Sequence, residues 1–435
     1  MKITIVGTGY VGLVSGACFA DLGHDVLCID KDESKIEVLK KGEIPFYEPH
    51  LDDMVRSNYL EGRLKFSVNI ADGVEHGQVI FVAVDTPSKA SGDADLSSVE
   101  KVAEQIAKHL KEYRLIVEKS TVPVQTGEWL MNKIREYAPQ GAEFDVASNP
   151  EFLREGTAVD DFMKPDRVVL GVTNERASSL LVTLYEPLNA PLLITDIKSA
   201  ELIKHTANAY LAMKISFINS IANICDIVGA DVAKVARGIG LDKRIGMEFL
   251  NAGIGYGGSC FPKDVSAFIS IADKCGYDFK MLKSVQEVNQ AQHGLVLKKL
   301  TSLLPDLNGL TVTLLGLSFK PNTDDLRNAP ALTVIDELLK HNVNIKVYDP
   351  VGMPNAKKII TSDKVIFTDS AYEACEDSSA VIVVTEWKEF NHLDFLKIKG
   401  LMKDNVFIDG RNMCDPSRMN KMGYRYIGIG RQIIS

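Results

Sequence analysis

Short apolar runs alternate with longer amphipathic ones along most of this chain, as expected for strands buried on both faces between covering helices. Ile3-Thr4-Ile5-Val6 predicts a strand, a helical pattern then runs to Leu22, Gly23 ends it, and Asp25–Ile29 predicts a second strand that closes at Asp30. Further strands are expected at 79–84, 114–118, 145–148 and 168–172, with helices at 96–113 and 125–137 among them. From 198 to 228 the pattern becomes one long helix, about 45 Å at 1.5 Å per residue, apolar on more than one face. Leu211, Ile215, Ile218 and Ile221 form a stripe expected to serve a dimer core. A second α/β unit starts with a strand at 310–315, turns at Gly316, and passes through a helix to a strand at 344–348 and Asp349-Pro350; strands at 380–384 and 406–409 extend it.

The first strand runs straight into Gly7-Thr8-Gly9-Tyr10-Val11-Gly12. Glycines at those spacings allow a tight turn, let backbone approach a pyrophosphate, and pack helix on strand, while the helix N-terminus receives phosphate charge. Asp30, at the end of the second strand, is placed to accept from both ribose hydroxyls and to repel a 2'-phosphate, so the expected cofactor is NAD rather than NADP. Ligand loops of such sheets lie at the C-terminal ends of the strands, which puts Asp85-Thr86-Pro87, Ser120-Thr121-Val122-Pro123 and Asn149-Pro150-Glu151-Phe152-Leu153-Arg154-Glu155-Gly156 around the nicotinamide. The second unit repeats the plan with only Gly316 left of the fingerprint, which argues against a second dinucleotide and leaves room for a phosphate or nucleotide. Arg411, past its last expected strand, is placed for a sugar or phosphate. The expected fold is α/β, with two Rossmann-like doubly wound domains joined by a long central helix: 1–197 for NAD, 198–300 central and helical, 301–435 Rossmann-like.

Composition narrows the class. A net charge of -9 argues against a nucleic-acid surface. The seven cysteines show neither a CxxC pair nor a metal-ligand spacing, and their odd number suits a reducing cytoplasm. The first twenty residues imitate a signal peptide, but the glycine spacing and the strand that follows make them a nucleotide-binding unit. The run around 198–228 is broken by Lys204, His205, Asn208 and Lys214, and no membrane span is expected.

One cysteine stands apart. Gly255-Tyr256-Gly257-Gly258-Ser259-Cys260-Phe261-Pro262-Lys263-Asp264 sets Cys260 on a glycine-rich turn before a helix that Pro262 would open and Val265, Phe268, Ile269 and Ala272 would continue. Free N–H groups and the helix dipole there favour a thiolate, which makes Cys260 a candidate nucleophile. Lys204 and Asn208, four apart on the long helix, share a face and can address one reacting atom; His205 points about 100° away and reads as packing.

These motifs, in this order and over nearly the whole chain, resemble the nucleotide-sugar 6-dehydrogenases of the UDP-glucose/GDP-mannose dehydrogenase family. Phe261-Pro262 resembles the UDP-glucose branch, whereas the GDP-mannose branch usually has Leu-Pro there; Asp85 stands where the family usually has Asn. The resemblance implies oxidation of UDP-glucose to UDP-glucuronate by two NAD and water, through a thiohemiacetal and a thioester on Cys260. In that course Lys204 and Asn208 stabilise the oxyanion, Asp264 holds water or takes the proton, Glu151 activates the hydrolytic water and Thr121 positions it. It further implies a cofactor set of Gly7, Gly9, Tyr10, Val11, Gly12, Asp30, Lys35, Thr86, Thr121, Glu155, Lys263 and Arg327. The implied substrate set is Glu151, Phe152, Leu153, Lys204, Asn208, Phe249, Leu250, Asn251, Tyr256, Gly257, Cys260, Phe319, Lys320 and Arg411, with Arg244 reaching a neighbouring subunit of a homodimer. Two competing readings are a two-electron hydroxyacid dehydrogenase, which would leave Cys260 idle, and an NAD-binding protein that reduces none. Cys260, Lys204, Asn208 and Asp264 together argue against both.

Overall fold

The computed structural model describes residues 1–87, 89 and 92–431, so the last four residues of the third expected domain lie outside it. The chain forms two compact units, one of residues 1–207 with 266–277, the other of 208–265 with 278–435.

The first unit is built on an eight-stranded sheet. Its strands are β1 (Lys2–Val6), β2 (Asp25–Ile29), β3 (Leu64–Ser67), β4 (Val79–Val82), β5 (Arg114–Glu118), β6 (Phe144–Ser148), β7 (Val168–Gly171) and β8 (Leu192–Thr195), ordered β3-β2-β1-β4-β5-β6-β7-β8. Pairing is parallel except between β6 and β7, which run antiparallel with Ser148 opposite Gly171. The order reverses between β1 and β4, so the loops after these strands diverge and leave a crevice at their C-terminal ends. Ile3, Ile5, Leu13, Val26, Phe81 and Leu115 are fully buried, so the first twenty residues belong to this core. The helix expected at 96–113 is shorter, Ser97–Lys108. Tighter bonds from His109 N–H to Ile106 O (3.1 Å) and Leu110 N–H to Ala107 O (3.3 Å) close it, and the chain turns in time to enter β5.

The second unit carries six parallel strands, β9 (Thr311–Leu315), β10 (Asn344–Tyr348), β11 (Val365–Phe367), β12 (Ala380–Val383), β13 (Val406–Asp409) and β14 (Arg425–Gly428), ordered β11-β10-β9-β12-β13-β14. This is the order of the first six strands of the other sheet, so the fold is α/β with two Rossmann-like sheets.

The long helix Ile197–Val228 runs from one unit into the other, as does the helix Phe261–Lys274. By length and composition alone the long helix is apolar enough to cross a membrane, with mean hydropathy 1.4 over 18 residues, although interruption was expected; 33% of that window is buried. Of the stripe expected to face a partner, Ile218 is fully buried in the second unit's own core and Ile221 packs against that core, whereas Leu211 and Ile215 are half-buried. Exposed apolar positions on this helix include Leu202 and then Tyr210, Phe217 and Ile224, the last three seven residues apart, with Ile227 and Val228. Seven residues make nearly two whole turns, so those three side chains share one face.

Candidate active site

In the first unit the glycine fingerprint forms the expected turn. Gly7 has φ +103°, and a Cβ there would lie 2.6 Å from Ala83 O, so only glycine fits against the loop after β4. The helix Tyr10–Asp21 follows immediately with no side-chain cap and no acid in its first turn, so its leading N–H groups are available to an anion. Asp30 accepts from Thr8 N–H (2.9 Å), Thr8 Oγ1 (2.8 Å), Asp32 N–H (3.1 Å) and Lys35 Nζ (3.3 Å). Burial pushes its carboxyl up, but those bonds together hold it below the usual 3.8, so it is ionised beside the turn. The uncapped helix end and the ionised acid fit a dinucleotide. Tyr10 bonds Glu48, and its ring lies 5.1 Å from that of Phe46.

On the rim of this sheet, Lys204 Nζ meets Glu151 Oε1 at 3.0 Å, with side chains 5% and 6% exposed. The other Glu151 oxygen accepts from Leu153 N–H at 2.5 Å, so the carboxylate bends its own loop around the lysine. Phe152 lies near two cations, with the Arg167 guanidinium 3.6 Å and Lys204 Nζ 5.4 Å from its ring centroid. Thr86 Oγ1 donates to Thr121 O at 2.8 Å, tying two of the expected loops together. Glu155 is half-buried on the same loop as Glu151.

In the second unit Cys260 is exposed and is itself the helix cap, because the helix is Phe261–Lys274, one residue earlier than expected, with Pro262 second. Its carbonyl accepts from Asp264 N–H at 2.8 Å, which starts the helix and places Asp264 one turn beyond the thiol. Asp264, 1% exposed, accepts from Asn208 Nδ2 at 2.6 Å and pairs with Lys263 at 2.8 Å. Gly257 packs on the loop before the helix Pro330–Lys340: a Cβ there would lie 2.1 Å from Asn328 O. Gly258 N–H donates to Arg327 O at 2.8 Å and Asn328 Nδ2 to Gly258 O at 3.2 Å. Arg411 links three segments by donating to Val384 O (2.7 Å), Gly255 O (3.1 Å) and Phe319 O (3.5 Å). Tyr256 is buried 5.7 Å from the Phe261 ring, which lies 6.2 Å from Phe249; Leu250 is buried and Asn251 exposed. Lys320 Nζ lies 5.4 Å from the Phe319 ring. Two expected arginines are held locally: Arg327 on Asp325 at 2.8 Å and Arg244, 88% exposed, on Asp242 at 2.6 Å.

Profiles of three successive domains match this chain: the UDP-glucose/GDP-mannose dehydrogenase family's NAD binding domain over residues 1–189, its central domain over 198–291 and its UDP binding domain over 313–416. The chain belongs to the UDP-glucose/GDP-mannose dehydrogenase family. Its cofactor is NAD. It is similar to UDP-glucose 6-dehydrogenase TuaD of Bacillus subtilis (strain 168), 48% identical over 433 residues that cover 100% of this chain and 94% of that one. It is also similar to UDP-glucose 6-dehydrogenase of Rhizobium meliloti (strain 1021), 47% identical over 438 residues, 99% of this chain and 100% of that one. A solved UDP-glucose dehydrogenase from the hyperthermophilic archaeon Pyrobaculum islandicum superposes with a TM-score of 0.93 at 37% identity, over 99% of this chain and 98% of that chain.

Within this dehydrogenase, several buried groups escaped the reading of the sequence. Glu48 accepts from Gly156 N–H (2.6 Å) and Ala158 N–H (2.7 Å), which secures the loop that carries Glu155. Lys119 donates to Asn149 Oδ1 at 2.9 Å, and burial lowers its ammonium to about 8 despite the nearby Glu151 carboxylate. Glu118 and Glu201 are 1% and 2% exposed. His205, expected to pack, bonds Val122 O at 2.7 Å through Nε2. The one available signal was spacing: Glu201 lies three residues before Lys204 and His205 one turn after Glu201.

Proposed function

We propose that this chain is a UDP-glucose 6-dehydrogenase, oxidising UDP-glucose to UDP-glucuronate with two NAD and water. The observation that carries the reading is an exposed thiol capping a helix whose next turn holds a buried carboxylate, in a chain that belongs to this family. Removing four electrons from one carbon passes through an aldehyde, and a nucleophile that captures it prevents its escape. The uncapped helix end and Asp30 would hold NAD, which would supply the hydride acceptor for each oxidation. The chain's own groups do the rest. Asp264 takes the C6 hydroxyl proton. Cys260 Sγ attacks the aldehyde carbon to give a thiohemiacetal, which the second oxidation converts to a thioester. The ammonium of Lys204 and the amide of Asn208 offer N–H donors to the developing oxyanion, each worth a few kcal/mol in a dry site. Glu151, already bonded to Lys204, activates the water that cleaves the thioester, with Thr121 positioning it.

In this proposal residues 1–197 hold NAD, 198–300 carry the nucleophile and the dimer contact, and 301–435 hold the nucleotide sugar, with Phe319, Lys320 and Arg411 toward the diphosphate. The face of Tyr210, Phe217 and Ile224 is too apolar to be left in water and fits a second copy of the chain, whose Arg244 would then reach across. Seven cysteines with no disulfide among them suit the cytoplasm, and UDP-glucuronate suits supply to polysaccharide synthesis. The test is NADH formed per mole of UDP-glucose, GDP-mannose and UDP-N-acetylmannosamine supplied separately. A ratio of about two with UDP-glucose alone, with Cys260→Ser stopping acid formation, is expected from a two-step oxidation. One NADH per sugar, or acid formed normally by the serine variant, refutes the reading.

A further inference from the structure

Carboxylates are rarely buried unless something answers their charge. Glu201, 2% exposed, is answered by two backbone donors, Gln125 N–H at 2.6 Å and Gly127 N–H at 2.7 Å. Those donors open the twelve-residue helix Thr126–Tyr137, whose own cap position, Gln125, is left-handed at φ 79° and offers no side-chain bond. Glu201 therefore caps that helix from another element, supplying the side-chain acceptor that Gln125 does not, while Glu128 already places an acid in its first turn. One turn further along the long helix, His205 Nε2 donates to Val122 O at 2.7 Å. The strap 121–125 is thus tied to the long helix at both ends. Lys204, with Glu151 at 3.0 Å, projects from the same turn.

We propose that Glu201 is a positioning residue, which with His205 holds the strap bearing Thr121 in register with the Lys204–Glu151 pair. The activity readouts below rest on the dehydrogenase reading; the exchange readout does not. Two N–H groups aimed at two carboxylate oxygens favour the ionised form, because protonating one oxygen weakens it as an acceptor.

The groups facing Glu201 are Glu118 on β5, Glu128 on the capped helix and Lys198 on the long helix, the last two paired with each other at 2.8 Å. Burial raises the Glu201 carboxyl from 4.5 to about 7, against the pull of the two backbone bonds and Lys198, with Glu128 adding to the rise. Glu118 is raised to about 8, chiefly by burial, with the Glu201 charge adding. The folded state therefore holds a proton on Glu201 that the unfolded chain releases between 4.5 and about 7, so ionising Glu201 costs stability across that window while it tightens the strap. A role confined to stability cannot move activity and stability in opposite directions.

The experiment uses the full chain with UDP-glucose and NAD across about pH 5.5 to 9, with Glu201→Gln, His205→Gln and His205→Leu beside the wild type. Expected for Glu201→Gln is a kcat roughly tenfold to a hundredfold lower at alkaline pH, loss of the kcat limb near neutrality, KM for NAD unchanged, and unfolding at or above the wild-type temperature. His205→Gln, which keeps an amide N–H in reach of Val122 O, should retain most activity, whereas His205→Leu should follow Glu201→Gln. Hydrogen exchange should show faster exchange at Gln125 and Gly127 in Glu201→Gln only. A Glu201→Gln enzyme with wild-type kcat and an unmoved pH limb overturns the proposal, as does unchanged exchange at those amides. A wild type that forms no NADH from UDP-glucose fails the function instead, and exchange still decides the strap.

Discussion

The two sheets of this chain share a strand order and a glycine turn, yet use them differently. Gly7 and Gly316 both have positive φ, +103° and +95°, both press on the loop after the neighbouring strand, and both donate to the strand beside them at 2.8 Å, Gly7 to Ile29 O and Gly316 to Tyr348 O. Each turn is then read by an acid at the end of that strand. Asp30 is half-buried and bonds the turn only through Thr8, apart from its neighbours Asp32 and Lys35, which leaves lone pairs for a ribose. Asp349, 1% exposed, is consumed by N–H donors from Leu317 (2.7 Å), Ser318 (3.0 Å), Val351 (3.0 Å), Gly352 (2.6 Å) and the Trp387 indole (3.0 Å). The helix ends differ as well. In the first unit the helix starts one residue after Gly9; in the second it waits until Pro330, and the loop before it is covered by Gly257 of the cysteine turn. One architecture thus serves as a dinucleotide seat in one unit and, in the other, as a support for the turn that carries Cys260.

The harshest way to break this comparison is Gly257→Ala. A methyl group 2.1 Å from Asn328 O cannot be accommodated without moving the cysteine turn, so kcat should fall about a hundredfold or more while NAD affinity of the first unit stays at wild type. Binding measured by fluorescence titration beside steady-state rates checks both halves; retained turnover would mean the turn is not seated as described. Smaller effects should separate the two acids. Asp349→Asn points an amide N–H at backbone donors and should cost about 2–4 kcal/mol in denaturant unfolding. Asp30→Asn should cost only about 1 kcal/mol of stability but weaken NAD roughly tenfold. Equal stability losses at both positions would erase the distinction.

The same comparison shows what a sequence makes legible. Every strand expected from an apolar run proved real and interior, whereas β3, β8, β11 and β14 were missed, and these four are the edges of the two sheets. Interior strands such as β4 and β12 are buried at every position and read as unbroken apolar runs, while β8 has no fully buried residue and β11 alternates. An edge has one neighbour and one open side, so its residues answer to solvent as much as to the core. The site divides along a similar line. Lys204, Asn208, Cys260, Asp264 and Asp30 could be proposed from the sequence because each is a chemically capable residue type at a meaningful spacing within one element or one turn. Glu201, Glu48 and Lys119 could not be, since their partners are backbone N–H groups or side chains 30 to 110 positions away in the chain, and nothing in the local pattern marks them.

The gentlest test sharpens the role of Asp30. Its carboxyl is held low because the Thr8, Asp32 and Lys35 donors together outweigh the burial that would raise it. A depressed carboxyl contributes stability that is complete above its unfolded value of 3.8 and disappears as pH falls through the lower folded value. The stability gap between wild type and Asp30→Asn should therefore stay level, at about 1 kcal/mol, from neutral pH down to the usual carboxylate range, and close only below it. Denaturant midpoints collected through that acid range would show the closure. A gap that persists unchanged in strong acid would mean that shape rather than charge makes Asp30 fit its turn, and the first unit's acid would then differ from Asp349 only in how many donors it meets.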